Sequence, residues 1–292
     1  ASLVEKRSGR ELADKSSPYA LGQFLHERFS LDEVNRFFKA YSRMPGGWAL
    51  NDLGKPGMPG PDAEDRVLEN VNVTAPGEPN PGAMGKPGLA AADKVPYLSV
   101  TPGDWTIATA RSTVADVVTL TARDTKGLAK GLTIKFTFAR HAPLVEVEWS
   151  VADKTPDKLP EGGWLCFPFA VANPQFTLGR PGGLVDPATG IIPGANRHLY
   201  AVSTGVRISA PDKSGVCICP LDAPLVSLEK PGLWWWSLDF VPRTPTVFVN
   251  LYNNEWNTNF PLWQDGSWSE RVRFWPSADL VRLPLATVCM LV

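Results

Sequence analysis

A large antiparallel β-sandwich, all-β and organised as a single domain over residues 1–292, is the fold class this sequence predicts. Three observations carry it. TIATARSTVADVVTLTARD, GLTIKFTFARH and PLVEVEWSV alternate apolar and polar residues with a period of two and are rich in β-branched and aromatic side chains. Turn residues separate these and later runs at hairpin-like intervals. Only one segment reads as helix and no strand–helix–strand rhythm occurs, which excludes a parallel α/β fold. No repeat of fixed period is visible, which argues against a propeller.

Taken in order, the helix comes first. Ser30-Leu31-Asp32-Glu33 is a capping box, in which the Ser oxygen accepts from the third amide of the helix and the Glu reaches back. Leu31, Val34, Phe37, Phe38 and Tyr41 then recur at helical spacing, predicting one short helix near residues 31–42, which Met44-Pro45-Gly46-Gly47 ends. Pro/Gly-rich excursions follow at about 44–65 and 75–96, too dense in Pro and Gly for a helix or central strand. Val67, Leu68, Val71 and Val73 between them suggest short strands. Beyond Trp105 the pattern is β. In GLTIKFTF, Leu132, Ile134, Phe136 and Phe138 share one face, with Thr133, Lys135 and Thr137 on the other. GWLCFPFAV, LYAVSTGVRIS, SGVCICPL, PTVFVNLY and RVRFW continue the series.

Bulk properties narrow the function. A chain of 292 residues can bury a large core. Its 29 basic and 30 acidic residues are balanced and unclustered, which speaks against nucleic acid, whose binders carry a basic stripe. No apolar run approaches the roughly 20 residues a membrane span needs. ASLVEKRSGRELAD lacks the apolar stretch of a signal peptide, so targeting is absent or already removed. The compartment stays open. Cys166, Cys217, Cys219 and Cys289 form no C-x-x-C pair and read as buried thiols, and three scattered histidines do not make a zinc knuckle.

No nucleophile elbow, P-loop, H-E-x-x-H or dinucleotide fingerprint occurs. Glycosidase chemistry would want two carboxylates across a cleft. Glu146 and Glu148 alternate on one strand and read as its solvated side, Glu161 precedes what reads as a Gly162-Gly163 turn, and Glu255, Asp265 and Glu270 lie near an unusual stretch. That stretch, LYNNEWNTNFPLWQDGSW, holds Asn253, Asn254, Trp256, Asn257 and Asn259, and seven of the 11 tryptophans fall between residues 234 and 275. Indole faces can stack on sugar C–H faces and carboxamides can satisfy hydroxyl pairs, so the expected ligand is an oligosaccharide or glycoside. The candidate substrate-binding residues are Asn253, Asn254, Trp256, Asn257 and Asn259, joined by Arg197 and His198, although a histidine following an arginine also reads as structural. Trp234-Trp235-Trp236, taken as part of a strand, would set Trp235 against its neighbours. No catalytic residue and no metal ligand is assigned.

Several stretches together resemble the C-terminal β-domain of glycoside hydrolase family 38, the α-mannosidase family, in bacterial form. SLVEKRSGREL resembles the segment opening that domain, and SPYALGQFLHERFS its next strand and the entry to its helix. GGWLCFPFAV, GGLVDPATGIIPGANRHLYAV, CPLDAPLVSL and VNLYNNEWNTNFPLWQDGSWSERVRFW follow in the family's order. The resemblance spans Ser2 to about Trp275. It implies the supersandwich architecture also found in galactose mutarotases. It also implies an N-terminal catalytic domain outside this chain, carrying zinc, the Asp nucleophile and the acid/base Asp. No His-x-Asp zinc motif occurs here, so no cofactor is expected in the chain itself. A self-sufficient epimerase or lyase and a non-catalytic carbohydrate-binding module are the alternatives.

Overall fold

The computed structural model describes residues 2–30, 33, 36, 37, 40, 96–157, 160–254 and 264–277. Its strands in chain order are β1 (Gln23–Arg28), β2 (Leu98–Val100), β3 (Trp105–Arg111), β4 (Ala115–Ala122), β5 (Ala129–Ala139), β6 (Val145–Lys154), β7 (Glu161–Pro168) and β8 (Gln175–Arg180). There follow β9 (Gly183–Val185), β10 (Tyr200–Ala201), β11 (Gly205–Ser209), β12 (Gly215–Pro220), β13 (Leu225–Leu228), β14 (Thr246–Asn253) and β15 (Gly266–Ser277). The pairs are antiparallel and form two sheets. One has six strands in the order β10-β13-β14-β7-β1-β2, and the other nine in the order β3-β4-β5-β6-β15-β12-β11-β8-β9.

The period-two pattern places the core. Leu132 and Ile134 of β5, Val147 and Trp149 of β6, and Val272 and Phe274 of β15 point from the larger sheet toward Phe24, Leu165, Phe167 and Val249 of the smaller. Their polar alternates face outward, where Arg273 donates to Glu146 at 2.7 Å and Lys135 pairs with Glu148. The solvated reading of Glu146 and Glu148 therefore holds. Strand β7 is buried along its whole length because both faces are covered. Leu165 and Phe167 enter the inter-sheet core, while Trp164 and Cys166 join a second cluster with Leu25, Phe29, Phe37, Leu233, Trp234 and Phe248. Fully burying a side chain such as Leu165 contributes about 1.5–3 kcal/mol.

The capping box is present: Glu33 N donates to Ser30 Oγ at 3.4 Å and Ser30 N donates to a Glu33 carboxylate oxygen at 2.8 Å. Residues 33, 36, 37 and 40 are helical, and Phe37 packs edge-on to Trp234 and Trp236. The remainder of the expected helix and both Pro/Gly-rich excursions, apart from residue 96, lie outside the described residues. Three expectations need correction. Gly162-Gly163 is strand rather than turn. Trp234–Trp236 lie outside any strand, with Trp234 in a turn in left-handed backbone at φ 51°. Cys166 and Cys217 are buried free thiols as expected, whereas Cys219 is disulfide-bonded. Among the described residues no helix is long and apolar enough to cross a membrane.

Candidate functional site

The Asn-rich stretch leaves the six-stranded sheet at the end of β14. That end is built from β1, β7 and β14 on one side and β6 and β15 on the other. The register of β14 on β7 slips between Asn250 and Tyr252, where Asn250 stands opposite Trp164 and Tyr252 opposite Gly163. The bulge re-aims Tyr252 into the core. Glycine at 163 is what admits it, since a Cβ there would lie 2.2 Å from the Tyr252 ring. Gly162 does the same for Leu233 on the other face, also at 2.2 Å.

The Tyr252 hydroxyl lies 3.1 Å from His26 Nδ1, and both residues are buried. Burial, with Lys154 and then Arg28 adding repulsion, pushes His26 down to about 3, so the imidazole is neutral. Lys154, the last residue of β6, sends Nζ 2.7 Å to Glu161 Oε1 at the start of β7. It also donates to the carbonyls of Thr155 and Gln264 at 3.1 Å each. The same ammonium stands 5.0 Å from the centre of the Tyr252 ring. Lys154 and Glu161 are 4% and 1% exposed, so both members of the pair are buried. This ion pair ties one sheet to the other.

The amides at the end of β14 serve the backbone. Asn250 Nδ2 donates to the carbonyls of Gly163 and Tyr252, each at 3.1 Å, spanning the bulge. Asn253 Nδ2 donates to Asn250 Oδ1 at 2.7 Å. Asn254 is buried; its Oδ1 accepts from Glu161 N at 2.7 Å and its own N donates to Glu161 O at 3.3 Å. Asn253 and Asn254 thus pin the exit of β14. Trp256, Asn257 and Asn259 lie outside the described residues, as do Glu255 and Trp263.

Where the chain re-enters, Gly266 takes φ 98° and β15 begins. Trp268 meets Trp149 and Tyr252 edge-on, with ring centres 5.7 and 5.8 Å away. Two residues on, Glu270 shares that face and pairs in register with Trp149. Burial, then the neighbouring Asp222, raises its carboxyl to about 7. Asp222 itself is clamped by Arg271, with two side-chain bonds at 2.9 Å.

Arg197 and His198 are not part of this assembly. Tyr200 pairs with Val226, which pairs with Val249, so His198 falls level with the start of β14 rather than its end. At about 3.3 Å per residue that is roughly 20 Å from Asn253 along the strand. His198 is 2% exposed; its Nδ1 meets Asn196 Oδ1 at 2.5 Å and its ring is edge-on to Trp235. Arg197 donates from Nη1 to Ala188 O at 3.2 Å and from its backbone N to Ser237 O at 2.8 Å. Asn196 Oδ1 also accepts from Ser237 N at 3.1 Å. The geometry makes this stretch a latch for the tryptophan turn, with Lys230 Nζ 3.5 Å above the Trp235 ring. Sequence reasoning passed over His26, Lys154 and Tyr252; the glycines inside an apolar run were the one local signal, because Gly in a strand marks a close approach.

No protein-family model and no curated protein matches the chain. Among solved structures, a galactose 1-epimerase from Lactobacillus acidophilus overlays 59% of the chain and 66% of its own length, at 8% identity and a TM-score of 0.38. An aldose epimerase homologue from C. elegans overlays 60% of the chain and 69% of itself, at 8% identity and TM-score 0.36. A glycoside hydrolase family 97 enzyme from Pseudoalteromonas, in complex with acarbose, overlays 61% of the chain and 27% of itself, at 13% identity and TM-score 0.34. The chain thus spans about two thirds of the epimerases and about a quarter of the hydrolase. Overlap of this extent bears on layout alone.

Proposed function

We propose that the chain is the C-terminal sandwich of an α-mannosidase-like glycoside hydrolase, supporting a catalytic domain outside it and lending the sugar site its Asn/Trp loop. One observation carries the reading. The stretches that resemble the family are scattered along the sequence, yet LGQFLHERF, GGWLCFPF, DAPLVSL and VNLYNN form β1, β7, β13 and β14, which lie side by side as β13-β14-β7-β1. The same sheet carries the interlocked Gly163, Tyr252, His26, Glu161 and Asn254 that set where the loop departs. In this reading Asn253 and Asn254 fix the loop's root, and Trp256, Asn257 and Asn259 meet an oligosaccharide or glycoside.

The zinc of the resemblance belongs to the missing catalytic half. Among the described residues no three of His, Cys, Asp and Glu stand together as a metal site, and no step is assigned to a metal here. The chain's own part is to hold a stacking surface in place. The test uses the intact polypeptide that contains this segment, assayed on aryl α-mannosides. Trp256→Ala is expected to weaken sugar binding by roughly 1–3 kcal/mol without changing the fold, the usual scale for losing an aromatic stacking face. Normal binding and turnover in that variant would remove the loop from the site. Turnover by the 292-residue chain alone would favour a self-sufficient enzyme instead.

A further inference from the structure

At one end of the nine-stranded sheet, β3, β4 and β5 lie near β1 of the six-stranded one. Between them lies a pocket of about 460 Å³, open on one side. Phe24 of the smaller sheet faces Trp105, Leu120, Ile134, Phe136 and Phe138 of the larger across it. Gly22, in left-handed backbone at φ 74°, lets the Phe136 ring close against the chain, since a Cβ there would lie 2.4 Å from it. Phe136 and Phe138 are stacked, 6.3 Å apart and 12° from parallel, giving the wall a flat aromatic surface.

We infer that this cavity binds a neutral, apolar small molecule. Its size falls within the roughly 300–1,000 Å³ of ligand pockets. The polar side chains at its rim are already engaged. Gln23 Nε2 donates to Thr101 Oγ1 at 3.2 Å, Gln23 Oε1 accepts from Ala20 N at 2.8 Å, and the Ser2 hydroxyl donates to Glu11. No charged side chain lines it among the described residues. A peptide segment would bring N–H and C=O groups, and a sugar hydroxyls, each costly to bury without a partner. A hydrocarbon or aromatic group brings none. The site is therefore chemically distinct from the Asn/Trp loop.

The test titrates the full chain with N-phenyl-1-naphthylamine, a neutral aromatic fluorophore. Saturable binding at one site per chain is expected, displaced by decanol and not by methyl α-mannoside. Val118→Trp, on the cavity wall in β4, should weaken binding at least about tenfold, because overpacking the space costs the ligand its room. Photolabelling with benzophenone gives a readout independent of any variant and should mark peptides covering 115–122 and 129–139. Absence of saturable binding, displacement by the mannoside, full affinity in a folded Val118→Trp, or labelling confined to other segments would each overturn the inference.

Discussion

Gly163→Ala isolates the contact that admits Tyr252 to the core. The added Cβ would sit 2.2, 2.4 and 2.8 Å from three atoms of the Tyr252 ring. That ring cannot step aside easily: Trp149 and Trp268 pack around it and His26 meets its hydroxyl. Overpacking of this kind costs about 1–3 kcal/mol. Pulling the phenol off His26 adds about 0.5–1.5 kcal/mol, and the stiffer unfolded chain returns about 0.4–1 kcal/mol. The net expectation is a loss of about 0.5–4 kcal/mol, centred near about 2 kcal/mol. Equilibrium urea unfolding of the full chain would measure it from the midpoint at constant m-value. Gly131→Ala serves as the control, since its Cβ would meet only the Ala152 Cβ at an ordinary 3.4 Å. In a Tyr252→Ala background the cost of Gly163→Ala should largely disappear, and the coupling would report the pair. A loss under about 0.5 kcal/mol, the range of neutral surface changes, would refute the argument.

Two further outcomes follow from the same geometry. Burial holds His26 and His198 at about 3 in the fold against an ordinary 6.5, so between those values the unfolded chain binds protons that the folded chain refuses. The histidines' contribution to stability should therefore be full above about pH 6.5 and fall as pH drops toward 3, by up to about 1.4 kcal/mol per pH unit for each histidine. Glu270, raised to about 7, acts in the opposite sense as pH rises from about 4.5, which leaves the steepest loss below that point. His26→Gln should flatten the acid limb by one proton's worth in urea titrations at several pH values, and an unchanged slope would discount His26. Ser30→Ala should cost about 0.5–2 kcal/mol, the range for an N-cap oxygen; an unshifted unfolding midpoint would show that the Ser30–Glu33 box contributes nothing.

Alternation of apolar and polar residues was enough to place β4, β5 and β6, because each has one face in the core and one facing outward. It found β7 for a different reason, since a strand covered on both faces reads as a continuous apolar run. Strands β2, β8 and β9 left no such mark: two are only three residues long, and β8 carries a glycine in its short run. The tryptophan turn was misread because a left-handed Trp234 has no sequence signature. The exit of the chain from the sheet near Asn253 was legible, and Asn253 is where β14 ends. The work done by Asn254 was not, because its partner, Glu161, is 93 positions away. His26 and Tyr252 are separated by 226 positions and meet only through the pairing of β1 and β14 with β7.

The order of strands has a consequence for how the chain can be made. In the larger sheet β15 lies between β6 and β12, and in the smaller β14 lies between β7 and β13. Until residues 246–277 have been synthesised, each sheet exists as two unjoined parts: β3–β6 apart from β8, β9, β11 and β12, and β1, β2 and β7 apart from β10 and β13. Four strand edges that end up interior stand open during that interval, and such edges recruit other chains. Among the described strands β14 and β15 act as keystones, so their assembly is a late event governed by long-range pairing and slow by the measure of contact order. A ribosome-bound chain stalled before Thr246 should expose all four edges, whereas one stalled after β14 and β15 have emerged should have closed them.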